Sequence, residues 1–341
     1  MRVVTFGEIM LRLSPPGFER FLQSPVFSAT FGGAEANVAV SLAQWGLESV
    51  FVTRVPQHGI GEAAIRALRA EGVRTDFVLR GGERLGIYFA ESGASQRPST
   101  VIYDRAHSSL SEIEPGDVAW SRILDGPKWF HVTGITPALG SNVAACVTAA
   151  VKAARAAGAT VSVDLNYRRT LWSEAEAQKT MRPLMPDVDV LMANEEDIQA
   201  VLGLGVPGVD VKTGRLNVAA YGEVAQRVSN EFGPKLVAVT LRESVSASDN
   251  AWSAVLWDAG QSELFRSQRY DIRVVDRIGG GDAFAAGLIY GLVTGRGYEE
   301  SLRFAVAAGA LKHTVPGDFN RVSVDEVDRL VRGDASGRVQ R

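Results

Sequence analysis

Cysteine is almost missing. The 341-residue chain has one, Cys146, so an internal disulfide and a disulfide-built scaffold are excluded. Its neighbours Val143-Ala144-Ala145 and Val147 mark it as a small buried hydrophobe rather than a nucleophile. Surplus charge is missing too. Lys and Arg number 36 against 39 Asp and Glu, a net charge of −3, where a nucleic-acid partner would call for a basic excess. No apolar run approaches the roughly 18 residues a membrane-spanning helix needs. The opening residues reach Glu8 without a signal-type apolar stretch, and the expectation is a cytoplasmic protein.

Several chemistries are excluded by motif. There is no Walker A sequence, no HExxH and no Gly-x-Ser-x-Gly elbow. The histidines, His58, His107, His131 and His313, show no metal-ligand spacing. Gly59-Ile60-Gly61-Glu62-Ala63-Ala64 mimics a dinucleotide fingerprint, but Pro56-Gln57-His58 separates it from its strand and it lies one unit into the chain. It reads as a glycine-bearing loop capping a helix, and a nicotinamide dehydrogenase has no other support.

What is present is a globular balance, 46% hydrophobic and 22% charged, enough apolar surface to offset the ordering entropy of folding. Short β-branched runs alternate with Ala-rich helical stretches, the rhythm of βαβ units around a parallel sheet. Strands are predicted at 50–53, 161–164, 188–191 and 236–239, and helices at about 62–71, 142–157, 282–294 and 299–313. Two segments, 11–31 and about 80–105, are rich in Gly, Pro, Ser and aromatics and contain strand-like pieces such as Gly86-Ile87-Tyr88-Phe89-Ala90. They are expected to form a small β flap on a domain spanning 1–330, with a polar tail over 331–341.

The stretch that carries chemistry runs from Val274 to Gly287. A strand enters, Gly279, Gly280 and Gly281 follow, and an apolar helix begins at or just after Asp282. Residues without side chains let a ligand approach the backbone and leave N–H groups free at the positive end of a helix, a phosphate-binding arrangement. Asp is also a favoured N-cap, but a cap does not explain three glycines before it. Far upstream, Gly32-Gly33 followed by Asn37 permits close approach of a small polar ligand, and reads equally as a helix entry turn.

Together these stretches resemble the two signatures of the PfkB (ribokinase-like) carbohydrate kinases, the second being Asp276-Arg277-Ile278-Gly279-Gly280-Gly281-Asp282. Arg277 stands where that family usually has Thr, and Gly280 where it has Ala. The resemblance implies a three-layer α/β core with a mostly parallel sheet and a small β lid, and ATP with Mg²⁺ as cofactors. Within the family the chain is most similar to 2-keto-3-deoxygluconate kinases, through Phe6-Gly7-Glu8, Gly86 to Phe89, Tyr103 with Arg105, Asp164 to Arg168 and Pro316-Gly317-Asp318. That likeness implies that Gly33, Asn37, Tyr88, Tyr103, Arg105, Arg168 and Asp318 line a sugar-acid site. It implies Asp282 as the base, with Gly279, Gly280 and Gly281 as the anion hole. Asn166, Asn194, Thr240, Arg242, Gly279 and Gly281 are implied nucleotide contacts.

The physics agrees with a sugar acid, because a carboxylate in a closed site needs a fixed cation and a neutral hexose does not. Arg105 lies in the flap beside aromatics; Arg168 is followed by Arg169, and either could pair with Glu174. Asn194-Glu195-Glu196-Asp197 resembles the family's magnesium-associated element with Asp197 in the final place, and equally an Asn-capped acidic first turn. Arg242 departs from the glycine of the family's Lys-Leu-Gly. The expected reaction is phosphorylation of a terminal hydroxyl of 2-keto-3-deoxygluconate. The alternatives are fructokinase or another sugar kinase of the family, or a non-catalytic sugar-acid sensor. Self-association through the flap is expected; nucleic-acid and membrane partners are not.

Overall fold

The computed structural model describes residues 1–126, 129–205 and 218–334. The first half holds β1 (Arg2–Phe6), β2 (Met10–Ser14), β3 (Ser28–Gly32), α1 (Ala34–Gln44), β4 (Glu48–Val55), α2 (Gly59–Ala70), β5 (Val78–Arg80), β6 (Gly86–Glu91) and β7 (Thr100–Asp104). Then come α3 (Trp120–Ile123), β8 (Trp129–Thr133), α4 (Ser141–Ala156), β9 (Thr160–Asp164), α5 (Glu174–Met181), β10 (Val190–Ala193) and the single turn α6 (Glu195–Asp197). The remainder is α7 (Val218–Phe232), β11 (Leu236–Ser244), β12 (Asp249–Asp258), β13 (Glu263–Arg266), β14 (Tyr270–Arg273), α8 (Gly280–Val293), α9 (Tyr298–Lys312) and α10 (Val324–Val331).

The central sheet runs β13-β12-β11-β10-β9-β8-β1-β4-β5, with β14 beside β12. It is parallel from β11 to β5 and antiparallel where β12, β13 and β14 join. Buried on both faces, its strands read as continuous apolar runs. Alternation along them assigns the faces: Val4, Phe6, Val50 and Val52 pack with α4 and α7, whereas Val3 joins the layer of α1, α8 and α9. The result is the three-layer core that the sequence resemblance implies.

A separate four-stranded sheet, β3-β2-β6-β7, is built from the two segments that break the βαβ rhythm. Its inner face is small: Met10, Tyr88 and Ala90 are buried, with Ile278 of the glycine loop packed against them. Arg80 ends β5 and so belongs to the central sheet rather than to this lid. The lid tip is tied to the β11–β12 turn, where Ala247 N–H donates to Ser95 O at 2.8 Å and Ser95 N–H to Ser248 Oγ at 2.9 Å.

Four of the differences from the expected boundaries have a local reason. The strand expected at 188–191 is formed by Val190–Ala193, because Pro183 and Pro186 hold 182–187 in a 3₁₀ turn that Val188 closes. Helix α2 starts three residues early, since His58 Nδ1 accepts from Ile60 N–H and caps it. Helix α8 starts at Gly280 with Gly279 as its N-cap, so Asp282 lies in the first turn and is not the cap. The polar tail expected from residue 331 begins later, Val331 being the last residue of α10; residues 335–341 lie outside the described residues.

Candidate active site

One cavity of about 360 Å³ opens between the lid and the carboxyl ends of the central strands, the place where ligands enter open parallel sheets. It is lined by Gly33, Asn37, Tyr88, Tyr103, Arg105, Asn166, Arg168, Asn194, Asp197, Thr240, Arg242, Gly279, Gly281, Asp282 and Asp318. Of the expected site residues, Gly280 alone is turned away. A Cβ there would meet the His313 ring at 2.2 Å, so this glycine serves close packing under the loop.

The two glycine motifs meet at the cavity floor. Asn37 Nδ2, in the first turn of α1, donates to Asp282 Oδ2 at 2.7 Å, and its Oδ1 accepts from Gly33 N–H at 3.4 Å. Gly33 has no room for a side chain, since a Cβ would lie 1.9 Å from Glu8 O. Gly279 has φ +84°, which a side-chain-bearing residue adopts at a cost. Gly281 is different. Outside its chain neighbours and its own helix backbone, no atom lies within 4 Å of where its Cβ would be, and the space it leaves belongs to the cavity. Burial pushes the Asp282 carboxyl up to about 6, against the Asn37 hydrogen bond, which lowers it.

Charge is divided across the site. On the lid side Arg105 is buried, donates to Glu8, and lies 5.5 Å from the Tyr103 ring centroid. Ser108 Oγ donates to the other Glu8 oxygen, while Arg105 Nε is buried without a partner. Below the lid, Arg12 Nη1 reaches Asp318 Oδ1 at 2.8 Å and Nη2 reaches Asp276 Oδ2 at 2.7 Å. Tyr88 OH donates to the second oxygen of Asp318. Both Asp318 oxygens are therefore held internally, and the residue bolts lid to core.

On the opposite wall Arg168, not Arg169, lines the cavity. Its described hydrogen bond is to Tyr167 O at 2.9 Å. Arg242 lies 5.3 Å from the Trp252 ring centroid, and its pKa is lowered by desolvation and by the neighbouring charges of Arg277 and Arg168. Arg277 donates to Ala247 O at 3.0 Å. None of these three makes an ion pair with a described carboxylate, which leaves a cationic wall. Facing it are Asp164, pushed well up by burial and by Asp197 and Asp282, and Asp197, pushed up to about 6 by burial. Asn194 Oδ1 caps the Asp197 N–H at 2.8 Å, as the helix-start reading expects. Asn166, with φ +36°, and Thr240 complete this side.

Sequence reasoning missed Glu8, Glu35, Asp164 and Arg12. Glu8 had a signal as the acid ending Phe6-Gly7-Glu8. Glu35 is buried and its Oε1 accepts from Thr133 N–H, Thr133 Oγ1 and Thr136 Oγ1. Arg12, inside an ordinary strand, had no signal.

The profile of the pfkB family carbohydrate kinases matches residues 1–323, and the chain belongs to that family. The crystal structure of 2-dehydro-3-deoxygluconokinase from Thermotoga maritima is 52% identical, covers 98% of this chain and 100% of its own, and superposes with a TM-score of 0.94. The 2-dehydro-3-deoxygalactonokinase of Haloferax volcanii is 34% identical over 335 residues, 98% of either chain. The 2-dehydro-3-deoxygluconokinase of Bacillus subtilis is 26% identical, over 95% of this chain and 93% of its own. The protein is a carbohydrate kinase of the ribokinase-like fold. Among the described residues no helix is long and apolar enough to cross a membrane.

Proposed function

We propose that the protein transfers the γ-phosphoryl group of ATP to the terminal hydroxyl of 2-keto-3-deoxygluconate (the 2-dehydro-3-deoxygluconate of its relatives' names), giving the 6-phosphate and ADP. The observation that carries this reading is the Asn37–Asp282 hydrogen bond at 2.7 Å. It aims a half-buried carboxylate at a cavity bounded by a helix N-terminus on one side and by Arg105 and Arg168 on others. Asp282 orients the hydroxyl and takes its proton as the oxygen–phosphorus bond forms and the bond to ADP breaks. The N–H groups of Gly279 to Asp282 face the transferring oxygens, and the open space at Gly281 admits them. The lid keeps water from competing as acceptor.

Arg105 and Arg168 supply the cations for the substrate carboxylate, and Gly33, Asn37, Tyr88 and Tyr103 the shape and hydrogen bonds. Asp318 acts through Arg12 and Tyr88 as the lid's anchor. Asn166, Asn194, Thr240, Arg242 and Gly279 bound the nucleotide side, and the cationic wall suits a polyphosphate.

Among the described residues no group of three or more His, Cys, Asp or Glu could hold a metal ion, so Mg²⁺ fits only as a cation shared with nucleotide phosphates. Asp197 would be its protein ligand, and the ion when bound supplies charge neutralisation between the phosphates. We further propose a cytoplasmic homo-oligomer joined through the lid. Its outer surface exposes Leu22, Val26, Phe18 and Ile102, an apolar area that a second copy would cover.

The galactonate-derived epimer is the second reading, favoured by the Haloferax relative. A coupled ADP-release assay over both keto-deoxy acids, gluconate, fructose and ribose tests the proposal. Turnover confined to the keto-deoxy acids is expected. Faster turnover of fructose than of either acid would overturn it.

A further inference from the structure

Lys312, the last residue of α9, is completely buried. An ammonium withdrawn from water is costly unless its surroundings compensate, and little here does so directly. Its Nζ donates one hydrogen bond, to Val315 O at 3.1 Å, and it makes no ion pair with a described carboxylate. The nearest candidates are engaged elsewhere, since Asp276 and Asp318 both pair with Arg12.

Its position is informative. A Cβ on Gly279 would lie 3.2 Å from Lys312 Cε, so the side chain packs directly behind the loop that lines the cavity through Gly279 and Gly281. It does not line that cavity, and nothing in the catalytic reading uses it. Asp276, Asp318 and Asp282 all favour its charged form, against burial and against Arg12.

We infer that Lys312 is a positioning residue, a fixed internal cation that holds the glycine loop toward an incoming phosphoryl group and sets positive charge near Asp282. This rests on the reading of Asp282 as the base. The groups around Asp282 come from several elements: Asn37 on α1, Asp164 on β9, Arg168 beyond it, Asp318 in the loop after α9, and Lys312. Among the two cations, Arg168 is exposed and shares the cavity with ligands, so only Lys312 is constant through the cycle.

Two variants test it. Lys312→Met removes charge and donor; Lys312→Gln keeps a donor for Val315 O without charge. Neither strips Asp276 or Asp318 of Arg12. In both, the acid limb of the kcat–pH profile should move up by on the order of one pH unit, which lowers kcat about fivefold at pH 6 and little at pH 8. An acid limb unmoved in both variants, or restored by Gln and not by Met, would overturn the inference. So would loss of folding in both, by thermal melting, since the ammonium would then serve the fold. Asp282→Asn in the same assay separates the two levels. If it stays active the base reading has failed; if it is inactive while the Lys312 profiles are unmoved, only this inference has failed.

Discussion

Arg105 and Glu8 form a buried ion pair across the seam between lid and core, with Glu8 in the segment between β1 and β2 and Arg105 following the last lid strand. The arginine read from the sequence as a lid-borne cation for a substrate carboxylate is thus already held by an acid of the protein. Glu8, with Ser108 on its other oxygen, fixes the guanidinium at the cavity wall, and the buried Nε remains without a partner. A fork held from one side presents its remaining donors with little rotamer entropy left to lose.

Asp282→Asn preserves the size of the side chain and an oxygen for Asn37 Nδ2, so the loop should keep its geometry. The expected result is a kcat lower by roughly 10²–10⁴-fold with nucleotide affinity nearly intact. In the unmodified enzyme kcat should rise with pH through about 6, where Asp282 loses its proton, and then level off. A variant with more than half the original kcat excludes Asp282 as the base.

Glu35 ties pH to stability. Burial raises its carboxyl from 4.5 to about 7, so the folded state binds the proton more tightly than the unfolded chain does. The stability this contributes is complete below pH 4.5 and is lost as pH rises through 7. Glu35→Gln should remove that dependence. Relative to the unmodified protein it should gain up to about 3 kcal/mol on going from pH 5 to pH 8 in urea unfolding. The same difference at both pH values would show that Glu35 does not titrate in this range.

Much of this site was legible because its determinants are contiguous. Three glycines before an acid at a helix start need no partner to be noticed, and Gly33 with Asn37 sit within one turn. The lid was legible as two stretches that break the βαβ rhythm. What stayed hidden depends on residues distant in the chain. Arg12 becomes meaningful only beside Asp276 and Asp318, and Lys312 only when α9 folds behind the glycine loop. The start of α8 was misplaced because glycine is a poor helix former in isolation. Here Gly279 adopts a left-handed cap and the ladder begins at once.

The lid should mediate self-association. Leu22 is 96% exposed and Ile102 51%, positions where a lone chain would leave apolar surface in water. Light scattering should give at least twice the mass of one chain, and Ile102→Asp should shift it to one chain with the melting temperature of the core nearly unchanged. A monomeric unmodified protein at micromolar concentration contradicts the lid interface.

The central claim, that this site selects a sugar acid through its carboxylate, is tested most directly by Arg105→Ala assayed on 2-keto-3-deoxygluconate and on fructose. Loss of the cation leaves the substrate carboxylate and Glu8 facing each other. The variant should therefore lose a few hundred-fold or more in kcat/KM on the acid, on the order of 3–5 kcal/mol. Arg105→Lys should recover part of this, and turnover of fructose, where measurable, should fall far less, by no more than the stranded Glu8 costs the lid. Equal losses on acid and neutral sugar would reduce Arg105 to a support for the lid and contradict the account.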